Sequence, residues 1–301
     1  MNVLLIIVGL FFLIKGADFL IDAASNIARK FKISEFIIGL TVIAVGTSLP
    51  ELMVSIKSIL DGHYSLVVGN IVGSCIYNLL LILGIMSLIK PIKIKKESNI
   101  ILMLFSILVV GMFGNMYGEI TKPEGIMLLL LFGIFILSTF RGEENNDKPA
   151  QSSLIKSVFF LILGIVLLKY GGDLVVDNAS ELGQKLNISE KIIGITIVAL
   201  GTSLPELVTS IVAVRKNTMQ IAVGNIIGSN IFNLLLVLGT TSLIKPIEFS
   251  SDYNFDLLFL SIVTLIVIIA CLKNQNEEIR RKEGIILIAF FILYNIRLFV
   301  I

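Results

Sequence analysis

Tryptophan is absent from this chain of 301 residues, histidine occurs once, cysteine twice, and only 15% of the residues are charged. Each shortage excludes something. Soluble domains carry about 25% charged residues. Here 56% of the chain is hydrophobic and the mean hydropathy is +0.97, more apolar surface than one core could hide. A soluble enzyme and a disordered chain are both excluded. Without tryptophan, an interfacial aromatic belt has to be built from Tyr and Phe. A net charge of +2 is too small to argue for a nucleic-acid partner. Cys75 and Cys271 each lie in an apolar run. Two such thiols make neither a disulfide framework nor a metal knuckle, so both read as small core residues.

What the chain has instead is long apolar runs. A spanning helix needs about 20 mostly apolar residues. Ten runs qualify, at roughly 2–24, 36–60, 66–89, 99–117, 123–140, 154–176, 191–215, 221–244, 255–273 and 283–300. The first has no basic leader and no small-residue cleavage site, and it continues through Gly16 and Asp18. It reads as a spanning helix and not as a signal peptide. The expected fold is an all-α polytopic membrane protein with ten transmembrane helices. The only long polar stretch, 141–153 (RGEENNDKPAQSS), reads as a linker between residues 1–140 and residues 154–301. Sixteen lysines and arginines flank the connections after the odd-numbered helices, against six on the other side. That bias predicts a multi-pass cell-membrane protein with a cytoplasmic linker and both termini outside.

Shifted by 155 residues, the chain overlays itself. Residues 39–55 (GLTVIAVGTSLPELMVS) match residues 194–210 (GITIVALGTSLPELVTS) at eleven of seventeen positions. Residues 68–84 (VGNIVGSCIYNLLLILG) match residues 223–239 (VGNIIGSNIFNLLLVLG) at thirteen of seventeen. Each half is predicted to hold five spans. An odd number makes the second half enter from the opposite side, so the halves are expected to be inverted repeats with the site at their interface. A duplicated scaffold alone would not explain why the best-matched segments are also the most polar.

GTSLPE stands at residues 46–51 and again at 201–206. Pro50 and Pro205 lack an N–H and crowd the preceding turn, so each helix is expected to kink there. The break should free carbonyls near Ala44, Gly46 and Thr47, and near Ala199, Gly201 and Thr202. Irregular backbone at membrane depth is tolerated only where it is buried or lines a wet cavity. Glu51 and Glu206 follow at once. A charge at that depth costs at least about 2.5–3.5 kcal/mol, which makes an intramembrane carboxylate a functional candidate. The plainer reading, a protonated glutamic acid kept as a hydrogen-bond donor, has to explain its occurrence at two equivalent positions.

The third and eighth runs add a stripe. Asn70, Ser74 and Asn78 share one helix face, and Asn225, Ser229 and Asn233 repeat it. Ser74, Asn78, Ser229 and Asn233 read as oxygen ligands. Asn70 and Asn225 could equally cap freed backbone groups. Gly69/Gly73 and Gly224/Gly228 are small-xxx-small pairs and read as packing. The proposed centre has two carboxylates, hydroxyls, amides and carbonyls, all oxygen, and no His or Cys pair to suit zinc or copper. Calcium takes 6–8 oxygens, and one Ca²⁺ neutralises two carboxylates. Smaller sodium sites sharing those carboxylates would make occupancy mutually exclusive, as exchange requires.

At these residues the sequence resembles the calcium/cation antiporter superfamily, most of all its prokaryotic sodium/calcium exchangers. The resemblance covers nearly the whole chain. It implies ion ligation by Glu51 and Glu206, by Thr47, Ser48, Thr202 and Ser203, by Ser74, Ser229 and Asn78, and by the carbonyls of Ala44 and Ala199. It also implies alternating access, with the first and sixth helices sliding over a core of helices two, three, seven and eight. Many members carry Asp where this chain has Asn233, which weakens the case for an added potassium ion. The implied activity is Ca²⁺/Na⁺ antiport, with both ions as substrates, no cofactor and no obligate protein partner. Within the superfamily the alternative is proton/calcium exchange, in which the glutamates would titrate. Outside it stand a channel and an intramembrane hydrolase with paired carboxylates; the near-perfect symmetry about Glu51 and Glu206 argues against the hydrolase's unequal acid and base.

Four further acids, Asp18, Asp22, Asp173 and Asp177, could attract cations at a portal or simply face water at helix ends. His63 in the short loop DGHYS reads as solvated. Residues 274–282 (NQNEEIRRK) read as a cytoplasmic turn.

Overall fold

A computed structural model describes residues 1–93, 97–139, 152–186, 199–273 and 278–300. The linker up to residue 151, the start of the seventh run (191–198) and residues 274–277 of the NQNEEIRRK turn lie outside the described residues.

Seven helices among the described residues are long and apolar enough to cross a membrane, eight if the bent pair Glu35–Thr47 and Leu49–Leu60 counts as one span. The two remaining predicted runs are not in that count. The run at 191–215 is described only from Ala199. The run at 283–300 is a helix of 20 residues, Arg281–Val300.

Two helices exceed their predicted length. Asn2–Phe31 has 30 residues and Leu154–Lys185 has 32. Neither contains a proline, and isolated acids such as Asp18, Asp22, Asp173 and Asp177 do not interrupt hydrogen bonding along a helix. At 1.5 Å per residue these helices are about 45 Å long, beyond a hydrocarbon core of about 30 Å, so they tilt or project. The first ends where Lys32 turns left-handed at φ 54°. Two residues on, the Ser34 hydroxyl accepts from the Ile37 amide at 3.1 Å and caps the next helix.

The two helices run antiparallel against each other through glycines. A Cβ on Gly9 would lie 2.8 Å from the Gly171 carbonyl, and one on Gly16 would lie 2.8 Å from the Gly164 carbonyl. Gly9 and Gly164 are equivalent under the 155-residue shift, as are Gly16 and Gly171, so each contact is matched by its exchanged copy. The short strands behave alike. Ile92–Lys93 pairs with Glu278–Ile279, and Glu119–Ile120 pairs with Ile247–Glu248, both antiparallel. Gly84 faces Gly284 as Gly239 faces Gly125, each pair within van der Waals distance.

Burial divides the helices. The spans Leu66–Ile89 and Met219–Ile244 are 78% and 94% buried, whereas the other five continuous spans are at most 44% buried. The outer helices carry exposed leucines such as Leu130, Leu137 and Leu258, as suits lipid contact. Polar residues can occupy the two inner spans because neighbouring helices shield them from lipid.

The glycine crossing is testable. Gly171→Ala places a Cβ 2.8 Å from backbone on the facing helix, whereas Gly133 has nothing within 4 Å among the described residues. Gly171→Ala should therefore lower the thermal midpoint in detergent micelles, by the equivalent of about 1–3 kcal/mol. Gly133→Ala should leave it in place. Equal midpoints would remove the close crossing.

Candidate functional site

The second span is built from short pieces. An α-turn, Glu35–Ile38, passes into a π-helical stretch, Gly39–Ile43, and then into Ala44–Thr47. At Ser48 (φ −90°, ψ 8°) the helix breaks, and Leu49–Leu60 leaves at 42° to it. Pro50 sits in the first turn of the new helix, where its missing N–H costs least. The break falls where the proline predicted it. The second half repeats the pattern: Ala199–Thr202, a break at Ser203, then Leu204–Arg215 with Pro205 in its first turn. Two more π-helical stretches, Asn78–Ile82 and Phe232–Val237, interrupt the inner spans at Asn78 and beside Asn233. Such bulges widen a helix and frequently mark functional positions.

Glu51 and Glu206 are fully buried, with 1% and 0% of their surface exposed. Glu206 Oε1 accepts from Ser48 Oγ of the first half at 2.9 Å and from Ser229 Oγ at 3.5 Å. Glu51 Oε1 accepts from Ser74 Oγ at 3.4 Å. Thr47 Oγ1 donates to Asn225 Oδ1 at 3.0 Å and lies 3.5 Å from Ser229 Oγ. One turn beyond Ser74 and Ser229 come Asn78 and Asn233, both buried. Thr47, Ser48, Asn225, Ser229 and Glu206 therefore join in one cluster that crosses between the halves, and Glu51 with Ser74 forms a second pair, Glu51 standing one turn on from Ser48 in the chain.

Six side-chain oxygens of the predicted set are buried with no hydrogen-bond partner among the described residues: Glu51 Oε2, Glu206 Oε2, Asn78 Oδ1, Asn233 Oδ1, Thr202 Oγ1 and Ser203 Oγ. Each such group costs about 1–3 kcal/mol if left unsatisfied. Acceptors dominate, and the carboxylates can supply two negative charges. The chemistry of that donor set suits a hard cation.

Other predictions resolve individually. Ala44 lies in the cluster's wall, but its carbonyl already accepts from Ser48 N at 3.0 Å and from Thr47 Oγ1 at 3.4 Å. Ala199 opens its short helix. Asn70 takes the capping role: its Nδ2 donates to the Glu51 backbone carbonyl at 3.4 Å and to Ser55 Oγ at 3.3 Å. Asn225 bridges Thr47 to Ser210, the latter at 3.4 Å. Gly224 and Gly228 do pack closely, since a Cβ on either would lie 2.3 Å from the carbonyl of Phe36 or Leu40. Asp18 and Asp22 both hold Lys216, at 3.2 and 2.7 Å, and so tie the first helix to the end of Leu204–Arg215. Asp173 pairs with Lys169 in its own helix at 2.5 Å. His63 is exposed, and Cys75 and Cys271 are buried and not joined in a disulfide.

Two residues were outside the predicted set. Asn230 is wholly buried and donates and accepts beside Asn78, and Thr209 buries an unpartnered hydroxyl one turn beyond Glu206. The available signal was mismatch: Asn230 stands opposite Cys75 in the repeat, and Thr209 opposite Val54.

Comparison with known proteins converges on one family. Residues 1–141 and 156–300 match the family described as sodium/calcium exchanger protein. The chain belongs to that family. It is a family of exchangers, which are transporters and not enzymes. The inner membrane protein YrbG of Escherichia coli is 38% identical, over 96% of this chain and 94% of its own. The sodium/calcium exchanger MaX1 of Methanosarcina acetivorans is 32% identical, over 100% of this chain and 99% of its own. Among solved structures, the sodium-calcium exchanger NCX_Mj soaked with Na⁺ and Ca²⁺ superposes with a TM-score of 0.86 at 33% identity, covering 97% of this chain and 96% of that one. The fold is thus an all-helical polytopic membrane fold like that of NCX_Mj.

The Asn225 bridge yields a stability test. Asn225→Ala removes the shortest bond of the fully buried Thr47 hydroxyl, leaving it only contacts of 3.4 and 3.5 Å, and should destabilise the protein by about 1–3 kcal/mol in denaturation experiments in micelles. Asn70→Ala, which loses two longer bonds at a half-buried position, should cost less. The reverse order would contradict the bridging role.

Proposed function

We propose that this chain is a secondary antiporter that exchanges Ca²⁺ for Na⁺ across the cell membrane by alternating access, with ions bound at mid-membrane between Glu51 and Glu206. The observation that carries this reading is the set of six buried oxygens without a partner among the described residues, one from each of two buried carboxyls, with Ser48 of the first half bonded to Glu206 of the second. Calcium would bridge the two carboxylates, whose joint charge of −2 it neutralises. Thr47, Ser48, Thr202, Ser203, Ser74, Ser229, Asn78 and Asn233 would complete its shell or hold sodium in its place. Ala44 and Ala199 would add carbonyl oxygens; Ala44 could do so by giving up its longer contact with Thr47. Because sodium would use the same carboxylates, each ion would exclude the other.

The chain divides on this reading into two inverted five-helix repeats, residues 1–140 and 154–301, joined by a cytoplasmic linker at 141–153, with both termini outside. The exchanged glycine contacts and exchanged strand pairs support the two-fold relation. Ten spans would follow, counting the second and seventh as bent and the last as Arg281–Val300. The helices Asn2–Phe31 and Leu154–Lys185 would move as one glycine-locked pair across the inner spans. Protease added outside intact cells should leave the linker uncut, and cleavage there would reverse the orientation.

Flux measurements test the chemistry. In proteoliposomes a sodium gradient should drive ⁴⁵Ca²⁺ uptake. Uptake driven by a pH gradient and indifferent to sodium would replace this reading with proton/calcium exchange. Glu51→Gln and Glu206→Gln should each reduce sodium-driven flux by at least about a hundredfold, the scale expected when an interaction with a charged ligand worth about 3 kcal/mol is lost. Wild-type flux in either variant would refute the bridge.

A further inference from the structure

The two halves match at most positions of the inner spans, yet Cys75 faces Asn230 in the alignment. The structure shows what the difference does. Asn230 is wholly buried, and its Nδ2 lies 3.3 Å from the backbone carbonyl of Cys75 and 3.3 Å from Met103 Sδ. A carbonyl can only accept, so the Asn230 amide must present its nitrogen there. Its Oδ1 is thereby turned to Asn78, 2.8 Å from Asn78 Nδ2. An oxygen at that distance demands a donor, so Asn78 must present its own nitrogen to Asn230. That leaves Asn78 Oδ1 as the free end of the group, buried and without a partner among the described residues.

The equivalent position in the other half works differently. Cys75 Sγ reaches the backbone carbonyl of Asn230 at 3.8 Å, which reproduces the first of these contacts. A thiol has no oxygen to offer, however, and Asn233 is left with neither Oδ1 nor Nδ2 partnered among the described residues. One amide of the symmetric pair is locked and the other is not.

We propose that Asn230 is a positioning residue that fixes the Asn78 carboxamide with its oxygen available as a neutral ion ligand, and that the Cys75/Asn230 difference makes the two amides unequal. This rests on the reading of Asn78 as an ion ligand. Asn78 begins the π-helical stretch one turn beyond Ser74, which itself bonds Glu51, so its free oxygen belongs to the same helix face as the carboxylate's partner. A calcium ion needs oxygen and cannot use an amide nitrogen, so a flipped Asn78 would remove one ligand outright. Groups that orient a ligand in this way typically matter 10–100-fold for metal affinity.

The test is sodium-driven ⁴⁵Ca²⁺ uptake in proteoliposomes, read as KM for Ca²⁺ and as maximal rate. Asn230→Cys installs the residue the other half already carries. It should raise KM roughly tenfold with a smaller change in maximal rate. Asn78→Ala should raise KM as well, and the double variant Asn78→Ala/Asn230→Cys should match Asn78→Ala alone, because Asn230 acts through Asn78. Cys75→Asn offers Asn233 the missing acceptor and should restore KM to within about twofold of wild type when combined with Asn230→Cys. An unchanged KM in Asn230→Cys overturns the proposal, as do additive effects in the double variant. Should Asn230→Cys not fold, Cys75→Asn alone decides: a lowered KM supports the proposal and an unchanged one overturns it. Glu51→Gln is run beside these. Its retention of flux would remove the ion site itself, whereas its loss of flux together with a silent Asn230→Cys would remove only the role of Asn230.

Discussion

Two glutamic acid side chains, 155 residues apart, sit with 1% and 0% of their surface exposed in a chain that is 56% hydrophobic. An ionisable group in such a place is tolerated only if the surrounding structure supplies polar partners and keeps lipid away. Much of the architecture follows from that demand. The spans that carry the serine and asparagine stripes are the two most deeply buried, and the helices outside them face lipid with leucine, isoleucine and phenylalanine. Ser48 and Ser203 break their helices three residues before each carboxyl, which brings serine and threonine hydroxyls close to it in the chain. Glycines at 224 and 228 let the broken segment of the first half approach the inner span of the second to backbone distance. A bulkier residue there would hold Thr47 and Ser48 away from Asn225, Ser229 and Glu206.

The halves are alike in sequence and unlike in bonding. Ser48 donates to Glu206, but its equivalent Ser203 has no partner among the described residues. Thr47 is bonded to Asn225, while the Thr202 hydroxyl has no partner among the described residues. Among the described residues, then, residues that match in sequence are bonded unequally in the two halves. The ion pairs differ for another reason: Lys216, which holds Asp18 and Asp22, stands opposite Asp61 in the repeat, and Lys169, which holds Asp173, stands opposite Ile14.

Much of this was legible from the residues. Apolar runs located the spans, because hydrocarbon thickness fixes their length. Pro50 and Pro205 located the breaks, because the missing N–H acts on its own helix. Glu51 and Glu206 marked the candidate site, because charge is expensive within an apolar span. What could not be read were features set by contacts remote in sequence. The helices Asn2–Phe31 and Leu154–Lys185 run past their apolar segments, where no proline stops them, and meet through glycines that nothing in either segment alone pairs with each other. The two-residue strands form only because segments about 130 to 190 residues apart in sequence meet, and nothing in Ile92–Lys93 or Glu119–Ile120 alone marks them as strands. The division of labour between Asn70 and its neighbours was likewise open, since an asparagine can cap or ligate and only its partners decide.

Repeats invite a search for matching pairs, and that search finds Glu51 with Glu206 and Ser74 with Ser229. It passes over Asn230 because the equivalent residue is a cysteine. Yet a matched pair can only specify what both halves do. Any property that must differ between them has to be carried by a mismatch, by a change of state, or by both. Cys75 opposite Asn230 and Val54 opposite Thr209 are mismatches placed within one turn of the carboxylates or of the residues that bond them. In this duplicated chain, a difference between the halves that persists in every state has to originate at such unmatched buried polar residues, because the matched ones are chemically identical.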